Sequence, residues 1–180
     1  MSIKVLVIGF GSIGKRHADI LNSMDVVSSV TVLSRQINLP YETLTLLKEI
    51  SELNPDYIVI ASNTALHYEH LVFLEENLQG KKILVEKPLF DLFYDFKITA
   101  NHVFVGYDLR FHPLMQLIKE KTTERNLWNI QVFCGSYLPD WRYGRDYRET
   151  YSAKKGDGGG VLLDLSHELD YVQWLAGPLE

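Results

Sequence analysis

A short buried strand that runs directly into a glycine-rich turn is the feature that most restricts the fold of this chain. Residues 3–8 are apolar apart from Lys4 and rich in β-branched side chains, which is typical of a central parallel strand covered on both faces. The turn that follows is Gly9-Phe10-Gly11-Ser12-Ile13-Gly14, and it opens a segment of mixed apolar and charged residues that suits a helix. This order indicates the first strand-helix unit of a doubly wound α/β domain.

Strand and helix patterns then alternate as far as Gly106. Further strands are predicted at residues 30–33, 57–61, 82–85 and 102–105, with helices at residues 41–53 and 66–78. Parallel strands joined by helical crossovers form an open sheet with helices on both sides. The predicted fold class is therefore α/β, with a doubly wound parallel Rossmann sheet over residues 1–106. Residues 90–100 leave room for only a short crossover helix before the fifth strand.

The pattern changes after Gly106. A helix is predicted at residues 113–121, a strand at 129–137, and an apolar segment at 161–175 that follows three glycines and ends at a helix-stop signal. One strand and two helices cannot close a sheet-based core, because a lone strand leaves both edges unpaired. Residues 107–180 are therefore expected to form an incomplete second α+β domain for substrate binding and oligomerisation. Either the chain is truncated, or another copy completes it.

Each glycine of the turn has a physical role in binding a dinucleotide. Gly9 permits the tight turn, Gly11 lets the backbone approach a pyrophosphate, and Gly14 lets helix and strand pack closely, with the helix N-terminus facing the phosphates. The rest of the turn, Phe10, Ser12 and Ile13, is predicted to bind the cofactor as well. The alternatives are a turn without a ligand and a methyltransferase, which usually carries an acidic residue where Ile8 stands.

The end of the second predicted strand bears on the choice of dinucleotide. The acidic residue that binds ribose hydroxyls in many such domains is missing, and the strand continues into Ser34 and Arg35. A guanidinium can pair with a 2′-phosphate, and a hydroxyl can donate to it. These two residues favour NADP over NAD, although NAD remains the alternative cofactor. The alternative for Arg35 is a solvated loop position.

The segment Glu86-Lys87-Pro88 stands at the carboxyl end of the fourth predicted strand, where open α/β sheets place ligands. Lys87 can donate there to a substrate hydroxyl, or it is a surface lysine before a turn proline. A cis Lys87-Pro88 bond is one way to direct the lysine inward. Asn63 and Glu86, together with Lys87 itself, are further candidates for cofactor binding.

Composition excludes several classes of partner. A formal charge of -5 and a pI near 5.7 provide no basic surplus for nucleic acid. The single cysteine, Cys134, cannot form an internal disulfide, which fits a reducing cytoplasm, and no apolar run is long enough to span a membrane. The six histidines lack metal-ligand spacing, so no metal is expected.

Four motifs in order resemble the Gfo/Idh/MocA oxidoreductases. They are the glycine turn, Glu86-Lys87-Pro88, the segment 106–113 (GYDLRFHP), and Gly158-Gly159-Gly160 followed by Asp164, His167 and Asp170. The resemblance covers essentially the whole chain, although members of the family normally continue through a large antiparallel sheet. It implies an NAD(P)-dependent dehydrogenase or reductase that acts on a sugar, sugar-nucleotide or cyclitol carbinol, usually as a homo-oligomer. The alternative is a non-catalytic NAD(P)-binding module or a fragment of a longer dehydrogenase.

The resemblance also implies catalytic residues. Lys87 matches the active-site lysine, and His167 matches the histidine that exchanges the hydroxyl proton, a role that suits an imidazole near neutral pH. Asp164 is expected to orient His167 if both lie on one helix, because a spacing of three places them on one face. The family's aspartate would stand at Leu163 instead, so a surface charge pair is the alternative for Asp164 and His167.

Substrate contacts are predicted after the fifth strand and in an aromatic and basic cluster. Tyr107, Arg110 and His112 are expected to line the substrate pocket, with Arg110 holding a phosphate or carboxylate. Trp141 and Arg142 begin a cluster that can stack on a sugar or pair with a diphosphate. The alternative for that cluster is an exposed arm packed on the cofactor domain or on a sister subunit.

Overall fold

The computed structural model describes residues 2–123, 127–141, 144 and 146–177. The chain forms two compact units, Met1–Gly106 and Tyr107–Glu180. Within the described ranges, none of the helices combines the length and the apolar character that crossing a bilayer requires.

The first unit is built on one six-stranded parallel sheet in the order β3-β2-β1-β4-β5-β6. This is the strand order of a doubly wound α/β domain, so the predicted fold class is confirmed. The strands predicted at 82–85 and 102–105 have the expected bounds, and the second strand is longer than predicted. The elements are β1 (Ile3–Ile8), α1 (Ser12–Asn22), β2 (Val27–Leu33), β3 (Glu42–Leu44), α2 (Ile50–Leu53), β4 (Tyr57–Ile60), α3 (His67–Asn77), β5 (Lys82–Val85) and β6 (His102–Val105).

The central strand β1 is apolar throughout its inner half because helices cover both faces of the sheet. Leu6 and Ile8 pack into one core together with the buried leucines of α3. Val5 and Val7 point the other way, into a second core that contains Ala18 of α1. Alternate side chains of one strand thus fill two cores, which explains the continuous apolar run.

The helix predicted at residues 41–53 is wrong over most of its length. The segment instead begins with β3, which pairs in parallel with β2 from Thr31 opposite Glu42 to Leu33 opposite Leu44. A short 3-10 turn, Leu47–Glu49, and the four-residue α2 follow. The backbone groups on the outer edge of β2 need hydrogen-bond partners, and a nearby segment that can extend supplies them. Tertiary pairing therefore overrides the local helical pattern.

The connection between β5 and β6 contains no helix, although all of residues 86–101 are described. Polar contacts with the end of α3 hold it. The side-chain amide of Asn101 donates to two carbonyls of α3 and its C-terminal neighbour at 3.3 and 3.1 Å. The carboxylate of Glu75 accepts from the backbone amides of Thr99 and Ala100, each at 2.9 Å. These contacts fix the approach to β6 where a crossover helix usually does so.

The described residues of the second unit form helices and turns: α4 (Pro113–Thr122), α5 (Leu138–Trp141), α6 (Val161–Asp164) and α7 (His167–Ala176). The strand predicted at residues 129–137 is wrong, because an isolated strand leaves its backbone groups unpaired and the described part of this unit offers no strand beside it. The single apolar helix expected from Val161 onward is interrupted at Leu165 and Ser166.

Neutralising Glu75 should destabilise the fold in a pH-dependent way. Burial raises the pKa of Glu75, but the hydrogen bonds from Ala100, Thr99 and Asn101 outweigh it and hold the pKa below its usual value of 4.5. A lowered folded-state pKa means that the carboxylate stabilises the fold above pH 4.5 and that this contribution is lost as the pH falls through the folded-state value. We expect Glu75→Gln to lower the urea midpoint at pH 7, with a difference from wild type that shrinks in acid.

The matched control is Glu76→Gln, which makes the same charge change at the exposed neighbouring position. It should leave the urea midpoint close to that of wild type at both pH values. An equal loss of stability in the two variants would mean that net charge, not the contacts of Glu75, is responsible.

Candidate cofactor and substrate sites

The glycine turn brings the end of β1 against the end of β4. Gly9 has a φ of +93°, and a Cβ there would lie 2.7 Å from the carbonyl oxygen of Ala61. A Cβ at Gly14 would lie 2.1 Å from the carbonyl oxygen of Gly9. At Gly11, in contrast, a Cβ would meet no atom within 4 Å. The first and third glycines therefore close the turn, whereas the second borders open space.

Helix α1 begins with an uncapped N-terminus at this turn. Gly11 is its N-cap residue, so no side chain accepts from the first amides, and the first turn of the helix contains no acidic residue. The first amides of an α-helix have no acceptor within the helix, and that end carries the positive side of the helix dipole. Ser12, Ile13 and Gly14 thus lie where a bound anion can accept their N–H groups.

A cavity of about 570 Å³ lies beside the turn, at the carboxyl ends of β1, β2 and β4. This volume falls in the range of cofactor sites. The structure brings six of the predicted cofactor residues together in its wall: Gly9, Phe10, Gly11, Ser34, Arg35 and Asn63. Sequence analysis missed Gln36, Leu46 and His70, which line the same cavity. We call this cavity the cleft.

The wall that follows β2 is tied to the glycine turn. The backbone amide of Gln36 donates to the Ser34 hydroxyl at 3.1 Å, and the Gln36 side-chain amide donates to the carbonyl of Phe10 at 2.8 Å. Residues 34–36 thus present a hydroxyl, a guanidinium and an amide at the position where many dinucleotide-binding domains have a carboxylate.

The wall that follows β4 carries a neutral histidine. The Ser62 hydroxyl and Nδ1 of His70 lie 3.0 Å apart. Burial, together with the nearby His67 ring, lowers the pKa of His70 to about 4. This ring is therefore uncharged at neutral pH, and it contributes polarity to the cleft without adding a cation.

Glu86 connects the strand that precedes Lys87 with helix α1. Its backbone amide donates to the carbonyl of Ile60 at 2.8 Å, and its Oε1 lies 2.6 Å from Nε2 of His17. The Lys87-Pro88 peptide bond is cis. His17 was not predicted as a site residue, and its place one turn after the glycines is the only sequence signal that pointed to it.

In the second unit, His167 is the first residue of α7. Its ring meets Tyr107 edge-on, with centroids 5.6 Å apart, and its Nε2 lies 3.7 Å from Oδ1 of Asp108. The buried Nδ1 has no hydrogen-bond partner among the residues that the structure describes. Tyr107 and His167 therefore lie together, and Asp108, which sequence analysis missed, is a carboxylate beside the imidazole.

The other predicted residues of this unit have different surroundings. Asp164 ends α6, so the continuous helix face on which it was expected to orient His167 does not exist, and that part of the prediction is wrong. Arg110 donates to both carboxylate oxygens of Asp170, at 2.8 and 2.5 Å, and this pairing raises the pKa of Arg110.

His112 caps helix α4 by accepting the amide of Leu114 at 3.2 Å. Trp141 is the last residue of α5 and is exposed, whereas Arg142 lies outside the described residues. Across the described ranges, no group of three or more potential ligands is placed to hold a metal ion.

The strand order, the glycine turn and the cleft define a dinucleotide-binding α/β domain. Residues 3–102 match the Gfo/Idh/MocA family model, described as "Oxidoreductase family, NAD-binding Rossmann fold". The chain belongs to the Gfo/Idh/MocA oxidoreductase family.

Comparison with individual proteins agrees with this membership. An uncharacterized oxidoreductase of Synechocystis is 26% identical over an alignment of 172 residues, and the alignment covers 91% of this chain and 44% of that protein. The WlbA dehydrogenase of Bordetella pertussis, solved with NADH and UDP-GlcNAcA, superposes with a TM-score of 0.79 at 20% identity, covering 99% of this chain and 56% of the other.

Scyllo-inositol dehydrogenase of Lactobacillus casei, solved with NAD(H) and scyllo-inositol, gives a TM-score of 0.70 at 17% identity and covers 98% of this chain and 57% of the other. At such identities the two solved structures establish the fold. The chain spans about half the length of the curated relatives that it matches.

Substitutions at two glycines of the turn should have opposite consequences. Gly11→Val places a side chain in open space on extended backbone, so the protein should fold with a nearly unchanged melting temperature. The same side chain blocks the approach of a pyrophosphate, and we expect NADH and NADPH affinity to fall about 100-fold, or roughly 2.7 kcal/mol. Gly14→Ala should instead destabilise the fold by about 2–4 kcal/mol, because its Cβ meets a backbone carbonyl.

Calorimetric titration measures the first effect, and urea unfolding measures the second. If a folded Gly11→Val variant binds either dinucleotide as tightly as wild type, the pyrophosphate does not bind beside Gly11.

Proposed function

We propose that this chain binds NADP in the cleft and, within an oxidoreductase, serves hydride transfer to or from the carbinol carbon of a sugar, sugar-nucleotide or cyclitol. The observation that carries the proposal is the open space at Gly11 beside the uncapped N-terminus of α1. Further support comes from the fold relatives solved with UDP-GlcNAcA and with scyllo-inositol. A cytoplasmic homo-oligomer is part of the same proposal, and sedimentation velocity measures the oligomeric state.

The residues of the cleft suit the parts of this cofactor. The first amides of α1 receive the pyrophosphate, with Phe10 and Asn63 in the cleft wall. Ser34 and Arg35 receive the 2′-phosphate, which a carboxylate at that position would repel. Glu86 and Lys87 follow β5, and we assign them to the reacting end of the cofactor. When bound, the nicotinamide ring supplies or accepts the hydride.

The catalytic roles are proposed for Lys87 and His167. Lys87 donates to the substrate oxygen and stabilises its alkoxide character, while Nε2 of His167 takes the hydroxyl proton when the carbinol is oxidised and returns it in the reverse direction. The edge-on contact with Tyr107 supports this role by orienting the imidazole, and the Asp108 carboxylate lies 3.7 Å from the same Nε2. Asp164 is proposed to orient the imidazole from the end of α6 and not from the helix of His167 itself.

Substrate binding is assigned to the remaining predicted residues of the second unit. Tyr107 touches the proposed catalytic His167, which supports a place for it beside the substrate. Arg110, His112, Trp141 and Arg142 complete the proposed set. Because Asp170 already holds the Arg110 guanidinium, Arg110 would bind an anionic substrate group only with that carboxylate beside it.

The choice of cofactor is tested at the end of β2. Arg35→Ala should weaken NADPH binding about tenfold, the loss of one charge-assisted contact, and leave NADH binding unchanged. Ser34→Asp should reverse the preference toward NADH, because the new carboxylate repels the 2′-phosphate and accepts from ribose hydroxyls. Fluorescence titration with both dinucleotides gives the two dissociation constants.

Lys82→Ala is the matched control, since it removes a cation at the start of β5, the opposite end of a strand from the cleft. It should not change the ratio of the two dissociation constants. If Arg35→Ala weakens NADH and NADPH equally, the guanidinium does not recognise the 2′-phosphate.

Catalysis is tested by separating binding from turnover. We expect His167→Ala to lower kcat by about 10²–10⁴-fold, the usual contribution of a general acid or base, while the NADPH dissociation constant stays as in wild type. The assay follows the absorbance of NADPH with sugars, sugar-nucleotides and cyclitols as candidate substrates. Undiminished turnover in the variant would remove His167 from the mechanism. NADPH binding by wild type with no turnover across the panel would favour a non-catalytic binding module.

A further inference from the structure

His67 links the end of β4 to the segment that follows β5. It is the first residue of α3 and is 1% exposed. Its Nδ1 lies 3.1 Å from the carbonyl oxygen of Pro88 and 3.2 Å from that of Leu89. Its Nε2 lies 3.1 Å from the carbonyl oxygen of Ser62. Carbonyl oxygens only accept hydrogen bonds, so each ring nitrogen can bond to the carbonyl that it faces only when that nitrogen carries a proton.

The proton on Nδ1 is the one that the surroundings favour. Burial lowers the pKa of His67, and the hydrogen bonds to the three carbonyls oppose this effect without cancelling it. A neutral imidazole carries one N–H, and Nδ1 faces two acceptors where Nε2 faces one. An imidazolium carries a proton on both nitrogens. In either charge state, therefore, Nδ1 donates to the segment after β5.

We propose that His67 is a positioning residue, whose Nδ1–H holds the carbonyls of Pro88 and Leu89 and thereby fixes Lys87 at the end of β5. The inference rests on the proposed function, in which Lys87 donates to the substrate oxygen and must therefore be held in position. On the other side of Lys87, the amide of Glu86 is bonded to Ile60 at 2.8 Å. The lysine thus stands between two backbone points that are both held.

The residue after His67 anchors the rest of the same segment by a different interaction. The ring of Tyr68 stacks on Tyr94 with centroids 3.8 Å apart, and it meets Phe90 and Phe96 edge-on at 5.5 and 5.7 Å. These apolar contacts hold the chain beyond Leu89. The hydrogen bond from His67 to Pro88 reaches the residue next to Lys87.

Two amide side chains separate the functions of the two ring nitrogens. The side-chain amide nitrogen introduced by His67→Asn occupies about the position of Nδ1, and that of the longer side chain introduced by His67→Gln occupies about the position of Nε2. In the Asn variant we expect the carbonyl ¹³C shifts of Pro88 and Leu89 to stay near their wild-type values. In the Gln variant these two shifts should change, because no donor is left at the position of Nδ1.

Measuring kcat and the NADPH dissociation constant separately distinguishes a positioning role from a merely structural one. We expect His67→Gln to lower kcat about tenfold or more, with the NADPH dissociation constant changed less than about twofold, because a displaced lysine weakens the transition state and not the cofactor complex. His67→Asn should restore most of kcat. Leu74→Ala is the control for lost stability, since it creates a cavity in the same helix two turns away. It should lower the melting temperature and leave kcat and the carbonyl shifts unchanged.

Three results would overturn the inference. The first is that the Asn and Gln variants behave alike, and the second is that Leu74→Ala reproduces the kinetic loss. The third needs no substitution: a ¹⁵N spectrum of the wild-type His67 ring in which Nδ1 carries no proton. If wild type neither binds NADPH nor turns over a substrate, the proposed function fails, yet the ring spectrum and the carbonyl shifts still decide whether His67 holds this segment.

Discussion

The close contact between Gly9 and the end of β4 is the constraint on which the first unit depends. The amide of Gly9 donates to Leu33 of β2 at 2.9 Å, and the amide of Ala61 donates to Ile8 of β1 at 2.8 Å. The end of β1 is thus bonded to both neighbouring strands where the chain turns away into α1. The strand order reverses at β1, so the crossovers leave on opposite faces and a cleft opens at this point. A side chain at Gly9 would clash with the backbone of Ala61 and Ser62 and force the ends of β1 and β4 apart.

Those parts of the fold that depend on local pattern were predictable from the sequence. The apolar run of β1 and the strands β5 and β6 were predicted with their observed bounds, because short runs of mainly β-branched and other apolar residues mark a strand without reference to its neighbours. Strand β3 was not predicted, because it forms by pairing with the edge of β2. Such a pairing leaves no pattern in the local sequence. The break at Leu165 and Ser166 was also missed, as neither residue is a strong helix breaker.

The site residues also divide into those that the local sequence predicts and those that depend on a distant partner. Residues that act through the backbone, above all Gly9, Gly11 and Gly14, follow from the motif because their geometry is set within a few residues. Side chains whose role depends on a partner do not. Arg110 pairs with Asp170, which is sixty positions away. No local sequence pattern shows whether a guanidinium will pair with such a distant carboxylate or with a bound ligand. His17 and His67 were missed for this reason: a lone histidine on a helix does not reveal which distant atom it faces.

These two histidines hold the segment around Lys87 from opposite faces of the sheet. His17 belongs to α1, whose Ala18 packs in one core, and His67 begins α3, whose leucines pack in the other. One contacts the Glu86 side chain before the lysine, and the other contacts backbone carbonyls after it. Any shift of either helix relative to the sheet must therefore strain a contact beside Lys87. Since α1 also begins at the glycine turn, the helix proposed to receive a pyrophosphate and the lysine proposed to face the substrate are linked through the contact between His17 and Glu86.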